Sequence, residues 1–181
     1  MAAILTINDF TGEILIAGLT RAWNEDSISG FISKYESDYI YKAMGYALGK
    51  AFIAGIAAVT VDPKWTDILE GAEYYNADGK LRKWAGLQAD GANPIANYVY
   101  YWYQRNAATI TGTAGEGTAT VENATKTSSI NKSVRAWNEM ADITDLLRDF
   151  LEYKLDGDDV AVYDYDSEEV HCFGRINTFN L

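Results

Sequence analysis

His171 and Cys172 are the one place in the chain where a nucleophile lies beside a base, and each is the only residue of its type. Neighbours in an extended segment point to opposite faces, so the two cannot serve each other as nucleophile and general base. One histidine also leaves no second imidazole for a metal site, and both residues read as structural. Asp156, Asp158, Asp159, Asp164 and Asp166 are dense enough to suggest a cation site. An EF-hand loop needs glycine at its sixth position and glutamate at its twelfth, which this run lacks. A solvated turn explains it better. Asp142, Asp145 and Asp149 fall at i, i+3 and i+7, the pattern of a water-facing helical stripe. Gly112, Gly115 and Gly117 are not a phosphate loop, because no apolar strand precedes them and no lysine with serine or threonine follows in place. Glu168 and Glu169 have no general-acid setting. The expectation is a protein with no catalytic residues, no cofactor and no metal, and therefore not an enzyme.

Composition narrows the classes further. The 181 residues fit a single domain spanning 1–181, and 48% hydrophobic content is enough to build a core. A formal net charge of −11 argues against a direct nucleic-acid binder, since phosphate binding depends on clustered lysine and arginine. The short basic cluster Lys80, Arg82 and Lys83 fits a solvated hairpin. One cysteine excludes an internal disulfide and suits a reducing compartment. No apolar run approaches the ~20 residues that span a bilayer. The start, MAAILTINDFTGE, lacks a basic n-region and carries Asp9 and Glu13, so it does not read as a signal peptide. A soluble, intracellular protein with no membrane partner is expected.

The elements that would position any site are legible from periodicity. Residues 1–20 are rich in Ile and Leu but broken by Asn8-Asp9 and Gly12, which predicts an extended arm or two short strands. Asp26 or Ser27 offers an N-cap, and Ile28, Phe31, Ile32, Tyr35, Tyr39 and Ala43 follow at helical spacing to Met44. Gly45 bends or ends that helix, and Tyr46, Leu48, Phe52 and Ile56 continue a stripe whose small residues admit a close neighbour. Pro63 opens a short helix that ends at Gly71, with Trp65, Ile68 and Leu69 inward. Asp78-Gly79 predicts a hairpin turn between Tyr74-Tyr75 and Leu81–Trp84. Asn93-Pro94 caps a helix rich in aromatics, in which Ile95, Tyr98, Val99 and Trp102 make the core stripe.

Between Ala107 and Asn131 the chain is mostly Thr, Ala, Gly and Ser. Loops longer than ~12–15 residues are uncommon in compact domains unless functional or disordered. Thr109-Ile110-Thr111 and Thr118–Val121 are β-prone arms around the glycines, so residues 107–131 read as a projecting loop or hairpin. A last helix starts near Asn131 and turns Val134, Trp137, Ala141, Leu146 or Leu147, and Phe150 or Leu151 inward. Residues 156–181 read as two short strands, Val160–Tyr165 and Val170–Ile176, and a tail. The fold class expected is mainly α: a helical bundle with a long inter-helix loop or β-hairpin and short strands at both ends. Tyr100, Tyr101 and Tyr103 cannot all face one core, so at least one is expected at a subunit interface. An isolated two-stranded ribbon is marginal in water, so Ile110, Thr111, Thr118 and Val121 are expected to meet another subunit as well.

The ordered series SISGFISKYESDYIYKAMGYALGKAF, KWTDILEGAEY, GKLRKWAGL, NPIANYVYYWY, ITG with ENA, and SVRAWNEM resembles small virion proteins of tailed bacteriophages. Within that group it is similar to head–tail connector subunits, also called adaptor or neck-ring proteins, from about Phe10 to Leu151. The resemblance implies a helical bundle that forms a ring, usually a dodecamer, beneath the portal protein and against other neck or tail proteins. Such a subunit lies in the virion neck after synthesis in the host cytoplasm, and genomic DNA passes through without specific binding. Asp142, Asp145 and Asp149 are then the first candidates for a row facing the DNA channel. The arm at the start and the segment after Asp156 exceed the compact adaptor pattern. A tail-completion or stopper protein is the alternative within assembly; an unrecognised regulatory or enzymatic domain is the alternative outside it.

Overall fold

The computed structural model describes residues 4–16, 22–89, 93–107, 109–112, 115–118 and 129–177. It is mainly helical, with five α-helices: α1 (Ala22–Met44), α2 (Tyr46–Ile56), α3 (Pro63–Glu70), α4 (Pro94–Ala107) and α5 (Ser129–Tyr153). Two antiparallel hairpins interrupt them, β1 (Ala72–Tyr75) with β2 (Leu81–Trp84), and β3 (Thr109–Gly112) with β4 (Gly115–Thr118).

Local signals place most of these boundaries. Gly45 ends α1 because its φ of 80° is outside the helical region and is costly for any residue with a Cβ. The Asp62 side chain accepts from the Lys64 amide at 3.0 Å and Pro63 follows as the first helical residue of α3. Asn93 caps α4 in the same way, its Oδ1 accepting from the Ala96 amide at 3.0 Å. At the other end of α3, Gly71 has φ 97°, and a Cβ there would lie 2.3 Å from the Trp84 carbonyl oxygen. That close approach lets the Leu87 and Gln88 amides and the Trp84 indole reach the last carbonyls of α3. Orphan carbonyls at a helix end need such partners. Gly55 in α2 similarly leaves room for the Trp65 ring, as the small residues of that helix suggested.

Helix α4 is the axle of the molecule. Every residue from Asn93 to Tyr101 is buried, with α1 on one side, α5 on another, and the segment around Gly12–Ile14 across both α4 and α5. Tyr98 sits among five rings, those of Tyr35, Tyr39, Trp102, Trp137 and Phe173, with centroids 5.6 to 6.2 Å away. Trp102 and Trp137 are half-buried members of this cluster. A second cluster gathers on Phe150: Tyr74 and Trp84 from the first hairpin and Tyr163 from the C-terminal segment. Aromatic pairs add roughly 0.5–1.5 kcal/mol beyond their area burial, so the two clusters weld the helices to the first hairpin and to the C-terminal segment.

The terminal segments differ from the strands expected there. Near the start, Ile7–Asp9 and Gly12–Ile14 are 3₁₀ turns, the first closed by a Thr6–Asp9 capping box. Thr-x-x-Asp and a glycine at φ 58° favour turning over extension. After α5 the described residues hold a single bridge, Leu155 to Ala161, and no regular element beyond it. Among the described residues no strand pairs with residues 171–176, and side chains of α5 bond backbone groups there. Trp137 Nε1 donates to the Gly174 carbonyl at 2.8 Å, and the Asn138 amide bonds both the N–H and the C=O of Ile176. Helix α1 also begins earlier than the caps Asp26 and Ser27 suggested.

Candidate functional site

The inter-helix hairpin occupies the place where the sequence shows its long gap. β3 leaves the end of α4 directly, and its register pairs Thr109 with Thr118, Ile110 with Gly117, Thr111 with Glu116 and Gly112 with Gly115. Two of the four rungs thus contain glycine, which supplies no cross-strand side-chain contact. Ile110, Thr111 and Thr118 all lie within this ribbon, whereas Val121 is outside the described residues.

The tyrosines proposed for an interface are mostly used within the chain. Tyr100 is 3% exposed and Tyr101 7% exposed. Tyr101 packs at a tilt against Trp137 of α5, with ring centroids 4.6 Å apart, and its hydroxyl accepts from Arg105 at 2.8 Å. Burial pushes the Tyr100 hydroxyl above its ordinary pKa, with Arg135 opposing. The premise that α4 has a single intramolecular partner does not hold, because three elements surround it. Tyr103 alone remains partly open, edge-on to Phe31 of α1 at 5.5 Å.

The aspartate row on α5 is likewise less open than its spacing suggests. Asp142 is gripped by the Arg175 guanidinium through both carboxylate oxygens. Asp149 is half-buried and accepts from the Tyr74 hydroxyl at 2.6 Å. Asp145 stays exposed, 3.6 Å from Arg148. The segment from Asp156 to Asp159 is a turn: Asp156 Oδ1 accepts from the amides of Asp158 and Val160, which holds its carboxyl below the usual range. Among the described residues no group of three or more His, Cys, Asp or Glu is placed to hold a metal ion. His171 and Cys172 are both exposed, and the His171 amide donates to the Lys42 carbonyl at 2.8 Å.

Two polar groupings were not read from the sequence. In one, Tyr98 donates to Asp38 at 2.6 Å and Lys42 donates to both, at 2.8 Å and 3.0 Å. Burial works against the Lys42 charge, but its bonds to Asp38 and Tyr98 outweigh that and raise its pKa. The i, i+4 spacing of Asp38 and Lys42 was legible; the hydroxyl from α4 was not. The second is an acidic cleft of about 320 Å³ between the early 3₁₀ turns, the start of α4 and the middle of α5. Only Asn93 carried a sequence signal there, as a helix cap.

No helix among the described residues is long and apolar enough to cross a membrane. Taken together, the elements define a mainly helical domain with a β-ribbon inserted between its two central helices. Comparison with protein-family models, with curated proteins and with solved structures finds no match to the chain.

Proposed function

We propose that the chain is a ring-forming subunit of the connector that joins the portal to the tail in a tailed phage. It is a structural protein of the virion neck without catalytic activity, and DNA passes through the ring without being specifically bound. The observation that carries the proposal is the β3–β4 ribbon between α4 and α5. A ribbon with two glycine rungs has little stability of its own, so a surface from a neighbouring subunit is its natural support. The resemblance of the motif series to connector subunits and the helical framework around α4 support this reading. Tyr103, Ile110, Thr111 and Thr118 are the residues assigned to the contact between copies, and exposed Asp145 is assigned to the bore.

Deleting Gly112–Gly117 from the full-length chain tests this. Mass photometry and electron microscopy of the wild type should show closed rings, alone or with portal protein added. The deletion variant should keep its helical circular dichroism and stay monomeric. A wild-type chain that neither self-associates nor binds portal would favour a free-standing domain. Normal rings from the deletion variant would exclude the ribbon as the contact.

A further inference from the structure

The first hairpin and the turn after α5 form a groove of about 410 Å³ that gathers exposed apolar side chains. Tyr75 and Leu81 are cross-strand partners, on the hairpin face opposite the one that Tyr74 and Trp84 turn toward Phe150. Leu155 lines the groove from the other side, and Val160 borders it, its carbonyl accepting from the Asp156 amide at 2.9 Å. These four side chains are 46–64% exposed. Single exposed apolar residues are ordinary, but several around one groove mark a contact surface.

The backbone beside the groove sets the form of an occupant. The Asn76 amide donates to the Lys80 carbonyl at 3.0 Å, so these two residues are a bonded pair. Bonded and non-bonded pairs alternate along an antiparallel ladder. Tyr75–Leu81 and Glu73–Lys83 are therefore non-bonded pairs, whose N–H and C=O groups point out of the hairpin. On the β1 side the Glu73 carbonyl accepts from Lys154 at 2.8 Å, as that geometry requires. The Tyr75 N–H and C=O have no hydrogen-bond partner among the described residues, and no third strand lies beside β1 there. An extended segment can take both groups as one bonded pair of an added strand.

Charge sets the chemistry of that segment. Glu73, Asp156 and Asp159 all line the groove. Lys154 is the cation beside them, and it is already held by the Glu73 carbonyl and by Asp67 at 3.8 Å. Three carboxylates against one committed ammonium repel phosphates and acidic peptides. A second copy would bring the same carboxylates to the same place, with a net charge of −11 on each chain.

We propose that this groove docks an extended, basic segment of a different protein. The segment adds to β1 as a third strand and sets a large apolar side chain among Tyr75, Leu81 and Leu155. Its lysine or arginine side chains lie beside Glu73 and Asp159. The site is separate from the ribbon and from ring formation, because none of its residues lies in β3 or β4.

The probe is acetyl-Lys-Val-Phe-Val-Lys-amide, whose ring and two ammonium groups share one face of a strand. Titrated into the full-length chain, it should shift the backbone amide signals of Tyr75, Leu81 and Leu155 saturably in nitrogen–proton correlation spectra. Leu155→Ser should weaken binding about five- to tenfold. Glu73→Gln combined with Asp159→Asn should weaken it at least about threefold. Both variants should keep their circular dichroism, and Val59→Ser, outside the groove, should bind as the wild type does. Absence of saturable shifts, or undiminished binding by Leu155→Ser, would overturn the proposal. Equal affinity for acetyl-Glu-Val-Phe-Val-Glu-amide would overturn the basic assignment. Equal affinity for the probe N-methylated at its Phe, which lacks the N–H that meets Tyr75, would overturn the third strand. Signals of Tyr75, Leu81 and Leu155 that move with protein concentration alone would assign the groove to a second copy, which also overturns it.

Discussion

At the scale of single residues, burial separates neighbours that look alike in sequence. Leu146 is 54% exposed while Leu147 is fully buried, because 100° of helical rotation carries one toward water and the next toward the core. Leu147→Ala should cost about 2–5 kcal/mol and Leu146→Ala within roughly ±0.5 kcal/mol, measured by urea unfolding. Equal effects would place the α5 face wrongly. Glu36 is the other telling residue. Its carboxylate is buried and accepts the Ile4 and Leu5 amides at 3.0 and 2.8 Å. Desolvation raises its pKa above the ordinary carboxylate value, and the two backbone bonds only partly oppose this. A raised carboxyl pKa means that the folded state binds the proton more tightly than the unfolded one. This contribution therefore lowers stability as pH rises from the ordinary carboxylate value through the folded one. Glu36→Gln should remove that slope: the variant gains stability relative to wild type as pH rises above the ordinary carboxylate value of about 4.3. A difference independent of pH would contradict it.

At the scale of elements, close backbone approaches and side-chain fastenings hold the short pieces in place. Gly71 is a tight joint, because a Cβ there meets the Trp84 and Ala85 backbone and its φ of 97° disfavours any L side chain. Gly71→Ala should destabilise by more than about 2 kcal/mol, and Gly79→Ala, in the open turn of the same hairpin, by clearly less. Chemical denaturation of the two variants checks the order. The C-terminal course along α5 is held by side chains in place of a ladder: Trp137, Asn138 and Asp142 on α5, with Phe173 sunk among Tyr39, Tyr98 and Trp137. Phe173→Ala should speed amide exchange across residues 171–176 far more than in α4. Uniform protection in that variant would show that the backbone fastenings suffice without the ring.

At the scale of the whole molecule, charge sets the terms of assembly. Each copy carries a net charge of −11, and bringing copies together concentrates it. Screening should therefore favour the proposed ring. Raising ionic strength from about 0.01 M to 0.15 M shortens the Debye length from roughly 30 Å to 8 Å, and the concentration at which rings half-form should fall. Sedimentation across that salt range measures it, and assembly that weakens with added salt would point to opposite charges across the interface.

Capping, turn chemistry and helical period are local, and the sequence by itself determined what depends on them. Pro63, Asn93-Pro94, Asp78-Gly79 and Gly45 each mark a boundary that the structure reproduces, and the mainly helical class follows from the stripes between them. The hairpin in the long gap was one of two open readings, because Thr-rich arms and clustered glycines are compatible with either. Only tertiary packing decided which aromatics are spent inside the chain. A helix that is aromatic all round can face one core and a partner, or, as α4 does, three elements of its own chain, and periodicity is the same in both cases. The same limit hid the Asp142–Arg175 and Asp149–Tyr74 pairings and the cleft at Asn97 and Glu139. Their members lie far apart along the chain, and nothing local requires them to meet.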